Sequence, residues 1–173
     1  MCETSSNLPF LALLDGFDML ALLSLPSGSE LSRCLALQVQ ELVAVAEPEK
    51  IVLGVGPGSY TGIRVGAALA EALAFGKNIP LYTAPSTEAF MPDCGGVILD
   101  ARGGGVYLHM VGESPKKIPL DKVPPLNDLY SPHPEEIQKR LPHCKIYPAS
   151  PNPIRLAEKA VFSRLEEITI RYL

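Results

Sequence analysis

A chain of 173 residues that is 47% apolar and 20% charged is long enough for one ordinary domain, or two small lobes, around a real core. That composition excludes a disordered chain and a coiled coil, and 17 prolines with 14 glycines fit neither collagen nor a long-helix protein. A net charge of −4 argues against a dedicated nucleic-acid binder, which carries a basic footprint.

Residues 8–14 and 18–25 are apolar runs about the turn dipeptide Asp15-Gly16 and predict a β-hairpin. The period then changes. Leu31, Leu35, Val39, Leu42 and Ala46 recur at spacings of three and four, which predicts a helix over 30–46 capped by Ser29 and stopped before Pro48. A second apolar line (Cys34, Leu37, Ala44, Val45) predicts that this helix buries more than one side. A buried strand at 51–55 runs into the loop Gly56-Pro-Gly-Ser-Tyr-Thr-Gly62 and then a helix over 63–75, with Gly76 placed to end it in a left-handed conformation. A strand at 79–84, a short helix capped by Ser86, and a strand pair at 96–100 and 106–111 follow. Beyond residue 114 short helices are expected at 134–141 and 154–165. Antiparallel strands opening into β-α-β-α units indicate a mixed sheet with helices packed on it.

The chain changes character near residue 114. Ten of its prolines lie in 115–173; residues 1–114 carry a net −7 and the remainder a net +3. The expected division is a lobe over 1–111 and a short, proline-rich lobe over 112–173. Cys2, Cys34, Cys94 and Cys144 show no CxxC spacing, so reduced, mostly buried thiols of a cytoplasmic protein are expected. His109, His133 and His143 form neither HxxxH nor HExxH, and no protein-bound metal is expected. The start shows no signal peptide, and no apolar run reaches the length of a membrane span.

Two features carry chemistry. A strand ending in small residues before a helix offers backbone N–H groups to an anion, so Gly56, Gly58, Ser59 and Thr61 are candidates for binding an anion or nucleotide. A tight strand-to-helix turn without ligand explains the same residues, because the spacing fits neither a P-loop nor GxGxxG nor a nucleophile elbow. The second feature is the helix after the loop. Gly62, Gly66, Ala70 and Ala74 leave one face almost bare beside a stripe of Val65, Leu69 and Leu73, which suits packing on the chain's own helix or on a partner. Arg64, Arg102 and Asp100 are open between ligand contact and ordinary surface or turn roles.

Gly-Pro-Gly-Ser-Tyr-Thr-Gly-Ile-Arg-Val-Gly (56–66), Ala-Phe-Gly (74–76) and Ile-Pro-Leu (79–81) closely resemble the TsaB family, also called YeaZ. Asp100-Ala-Arg102 with Val106-Tyr107, the N-terminal Glu3-Thr-Ser-Ser6 and the closing Arg171-Tyr-Leu173 are similar to further family motifs. Glu3 stands where the family has Asp, and the first strand looks clipped. The resemblance implies an ASKHA (actin-like, ribonuclease-H-like) α/β fold, a mixed sheet flanked by helices with a reduced second lobe. It implies a noncatalytic subunit that supports a TsaD-like enzyme, with a TsaE-like ATPase, in forming N6-threonylcarbamoyladenosine at position 37 of tRNAs. The chain would then reach tRNA only through the complex, and ATP or ADP would sit, if anywhere, at the complex interface. The two family helices form the face that meets TsaD. By the resemblance, Leu31, Leu35, Leu42, Gly62, Val65, Gly66, Leu69, Ala70 and Leu73 are interface residues, and a bulky residue at Gly66 breaks the complex. The same face could pair two copies when the partner is absent. The alternatives are a nucleotide-binding regulator and a metal-dependent hydrolase of the glycoprotease type.

Overall fold

The structure, a computed structural model, describes residues 1–101 and 103–164. A central strand, β1 (Cys2–Glu3), pairs antiparallel with β2 (Phe10–Asp15) and parallel with β4 (Ile51–Gly54). β2 turns at Gly16-Phe17 into β3 (Asp18–Ser24), and β4 pairs parallel with β5 (Leu81–Ala84). β11 (Val161–Ser163) adds antiparallel to β5, which gives the order β11-β5-β4-β1-β2-β3. The second sheet has the order β10-β9-β6-β7-β8, from β6 (Gly96–Asp100), β7 (Gly105–Met110), β8 (Lys116–Pro119), β9 (Leu129–Ser131) and β10 (Ile146–Pro148).

Period-two alternation decides which core each side chain enters. Leu11, Leu13, Ile51 and Leu53 point to one face of the first sheet. There they meet helix α1 (Ser29–Val43) through Leu31, Leu35, Val39 and Leu42, and helix α2 (Tyr60–Lys77) through Ala67, Ala70 and Ala74. Phe10, Ala12, Val52 and Ala84 point the other way, onto Phe90 of the 3-10 turn Ser86–Phe90, onto Val97, Leu99 and Tyr107 of the second sheet, and onto Leu156 of α4 (Pro153–Glu158). A third cluster joins Ile98, Val106, Leu108 and Leu129 to Ile137 and Leu141 at α3 (Pro134–Arg140).

Most expected elements are present, with informative differences. Gly28, not Ser29, occupies the N-cap of α1, and no side chain caps that end. Helix α2 starts three residues early because Ser59 caps it, its Oγ accepting from Gly62 N–H at 3.3 Å. It also runs through Gly76 to Lys77, and Asn78 takes the left-handed position with φ 53°. Asn tolerates that conformation through its short polar side chain. The helix expected over 154–165 ends at Glu158, and Val161–Ser163 is strand because it completes the sheet edge beside β5. The Ser86 hydroxyl caps nothing; it accepts from Gly56 N–H instead.

The lobe boundary at 111/112 is not a boundary of the fold. It falls inside the second sheet, since β6 and β7 pair with β9 and β8 from beyond it, and β11 returns to the first sheet. Composition changes there, but the β6–β7 hairpin needs strands on both flanks to bury its backbone. Leu37, Ala44 and Val45 are exposed, so α1 buries a single face. Of the four free thiols, Cys2 and Cys144 are buried, Cys34 is half-buried, and Cys94 is exposed. Among the described residues no helix is long and apolar enough to cross a membrane.

Candidate functional site: the serine turn, the glycine loop and the interlobe cleft

After β1 the chain makes a tight turn, Thr4-Ser5-Ser6, held by a buried carboxylate. Glu3 Oε1 accepts from Ser5 N–H at 2.7 Å, Ser5 Oγ at 2.7 Å and Ser6 N–H at 3.2 Å, and Oε2 accepts from Ser6 Oγ at 2.6 Å. Burial pushes the Glu3 carboxyl up from its ordinary value, against the pull of these donors. The group therefore binds its proton more tightly folded than unfolded. Its stabilising contribution is fully present below the ordinary carboxylate pKa and is lost as pH rises through the raised folded value. In urea unfolding across that window, wild type should lose stability relative to Glu3→Gln as pH rises. Parallel curves would contradict this assignment. Glu3→Ala strands the Ser5 and Ser6 N–H groups and should cost about 2 kcal/mol or more.

The serine turn in turn holds the glycine loop. Ser59 N–H donates to Ser5 O at 2.6 Å, Thr4 Oγ1 donates to Gly62 O at 2.8 Å, and Ser5 Oγ reaches Pro57 O at 3.4 Å. From the other side Ser86 Oγ accepts from Gly56 N–H at 2.9 Å, and Ser86 N–H donates to Gly56 O at 2.8 Å. The Gly56-Pro57 bond is cis. The close approach explains the glycines: a Cβ at Gly58 would overlap Ser5 O, and one at Gly62 would overlap Thr4 O.

Two recesses open on this loop. The first, an interlobe cleft of about 290 Å³, lies between Ser5, Ser6, Gly58 and Ser59 on one wall and Asp100, Ser131, His133 and Glu136 on the other. Asp100 is ion-paired with Arg140. The Nε2 atom of His133 is buried and has no hydrogen-bond partner among the described residues. A neighbouring recess of about 360 Å³ lies where α1 and α2 begin, lined by Thr4, Ser27, Ser29, Ser59 and Thr61. The arrangement offers hydroxyl and carboxylate groups to a ligand. Among the described residues no three His, Cys, Asp or Glu side chains converge as metal ligands. Burial pushes the Cys2 thiol up to about 12, so it stays protonated.

The family model for TsaD, tRNA N6-adenosine threonylcarbamoyltransferase, matches residues 35–138, more than half of the chain. The matched stretch contains the glycine loop, β4 before it, α2 after it and one cleft wall. The chain belongs to this family, in its TsaB/YeaZ group. It is similar to the Bacillus subtilis tRNA threonylcarbamoyladenosine biosynthesis protein TsaB, 41% identical over 71 residues, 38% of this chain and 31% of that protein. The Haemophilus influenzae protein of the same name is 39% identical over 71 residues, 36% of this chain and 30% of that one. The alignments thus span about a third of these relatives' length. Among solved structures, an uncharacterized protein with similarity to peptidase YEAZ from Pseudomonas aeruginosa superposes with a TM-score of 0.75 at 18% identity, covering 98% of this chain and 97% of that one. YeaZ from Pseudomonas aeruginosa gives 0.61 at 21% identity, covering 75% and 72%. The mixed α/β architecture is consistent with the ASKHA-like fold of the group.

In this TsaB/YeaZ-type chain the candidate anion loop is divided. Gly58 and Ser59 line the cleft, Thr61 lines the neighbouring recess, and Gly56 is buried in neither. The N–H groups of Gly56 and Ser59 are already bonded to Ser86 and Ser5, so they are not the free donors that the sequence suggested. The candidate interface is divided too. Leu31, Leu35, Leu42, Gly62, Gly66 and Ala70 are buried in the chain's own core. They are not exposed contact surface: the bare face of α2 lies on β1 and the serine turn, where a Cβ at Gly66 would overlap Thr4 Oγ1. Only Val65, Leu69 and Leu73 remain half-exposed.

Arg64 is exposed and donates to Tyr60 Oη at 2.9 Å, an i,i+4 pair on α2 rather than a cleft contact. Arg102 and Arg171-Tyr-Leu173 lie outside the described residues, as does Leu165. The structural tasks of Glu3 and Ser86, and the cleft positions of Ser131, His133 and Glu136, carry no local signature. The His133-Pro134 pair at the start of α3 marks a helix entry but not what it faces.

Proposed function

We propose that this chain is a noncatalytic partner subunit that binds and supports a TsaD-like enzyme in forming N6-threonylcarbamoyladenosine at position 37 of tRNAs. Membership in the TsaB/YeaZ group is the observation that carries the reading. The helix pair supports it with a surface to dock. Val65, Leu69 and Leu73 stand half-exposed along the seam of α1 and α2, and Leu69 and Leu73 border an apolar notch of about 50 Å³ with Val39, Leu42 and Val43. Such a seam fits the ridge of a partner helix, with anchors seated in the notch. In this reading the cytoplasm is the site of action, a TsaE-like ATPase joins the complex, and tRNA is met through the partner. ATP or ADP belongs to the complex interface, at the mouth of the recess beside Ser59 and Thr61.

Co-expression with the TsaD-like and TsaE-like proteins of the same organism tests this. A stoichiometric complex should copurify, and modified adenosine should form on tRNA only when this chain is present. Modification at full rate without it would refute the proposal. Turnover of a peptide or of ATP by the isolated chain would favour the hydrolase reading instead.

A further inference from the structure

We draw no further inference here: the strongest candidate, the interlobe cleft between the serine turn and α3, carries nothing beyond the site already described, because its walls are the start of α2 and the carboxylates Asp100 and Glu136, and His133, whose Nε2 has no partner among the described residues, is itself only partly buried.

Discussion

Gly62→Leu should abolish cooperative folding. The first turn of α2 rests on the serine turn, and a Cβ at residue 62 would overlap the Thr4 carbonyl oxygen and press on its carbonyl carbon at 3.0 Å. The obstacle is main chain, pinned by the Thr4 Oγ1 bond to Gly62 O and by the Ser59 N–H bond to Ser5 O, so it has no rotamer by which to withdraw. Even Gly62→Ala should cost about 3 kcal/mol or more, above the usual range for overpacking. Gly66→Ala is the informative contrast. There the obstacle is the Thr4 hydroxyl, a side-chain atom that can rotate away at the expense of one hydrogen bond. Its cost should stay near 1–2 kcal/mol, offset in part by the better helix propensity of alanine. Urea denaturation of the two alanine variants measures the difference. Equal stabilities would mean that the serine turn does not lie against α2. A bulky residue at Gly66 would therefore act on the fold before it could act on any complex.

The second large effect concerns the partner. Replacing Leu69 and Leu73 together by alanine should weaken binding to the TsaD-like protein at least about 100-fold, about 2.7 kcal/mol, as expected for anchors at the centre of an interface. These residues also touch the core, so the cleaner variant is Ala72→Arg. Ala72 is exposed one turn from the leucine stripe, and an arginine there leaves packing untouched while obstructing a close helix. It should impair binding comparably without lowering stability. Phe17→Ser, on the β3 hairpin, should leave the affinity unchanged. Titration calorimetry of the three variants against the TsaD-like protein decides the matter. Normal binding by Ala72→Arg would place the interface elsewhere.

How much of this was legible beforehand depends on the range of each signal. The period of Leu31, Leu35, Val39 and Leu42 identified α1 and its buried face, because helical spacing is written in adjacent turns. The β2–β3 and β6–β7 hairpins were legible for the same reason, through alternation and a local turn. The glycine motif was recognisable, and the family it indicated is the one to which the chain belongs. Its meaning was less accessible. Glycines at 56, 58 and 62 look alike whether they cradle an anion or let two segments touch. The choice depends on Ser5 and Ser86, some 50 residues before and 30 after the loop, which take up its N–H groups.

The sequence by itself determined the local elements, the family and the small-residue character of α2. Each of these is set by spacing within one or two turns of chain. Tertiary structure alone decided what the small residues are for. Gly62, Gly66 and Ala70 could face a partner or the chain's own sheet, and Gly62 and Gly66 face inward because the serine turn after β1 packs against them, its Thr4 Oγ1 bonded to Gly62 O. Ala70 is buried in the core of the first sheet. The acidic, proline-poor first stretch and the basic, proline-rich second one remain real as composition. They do not coincide with the two sheets, because strand pairing is fixed by which backbone edges need partners and is indifferent to where the chain's charge changes sign.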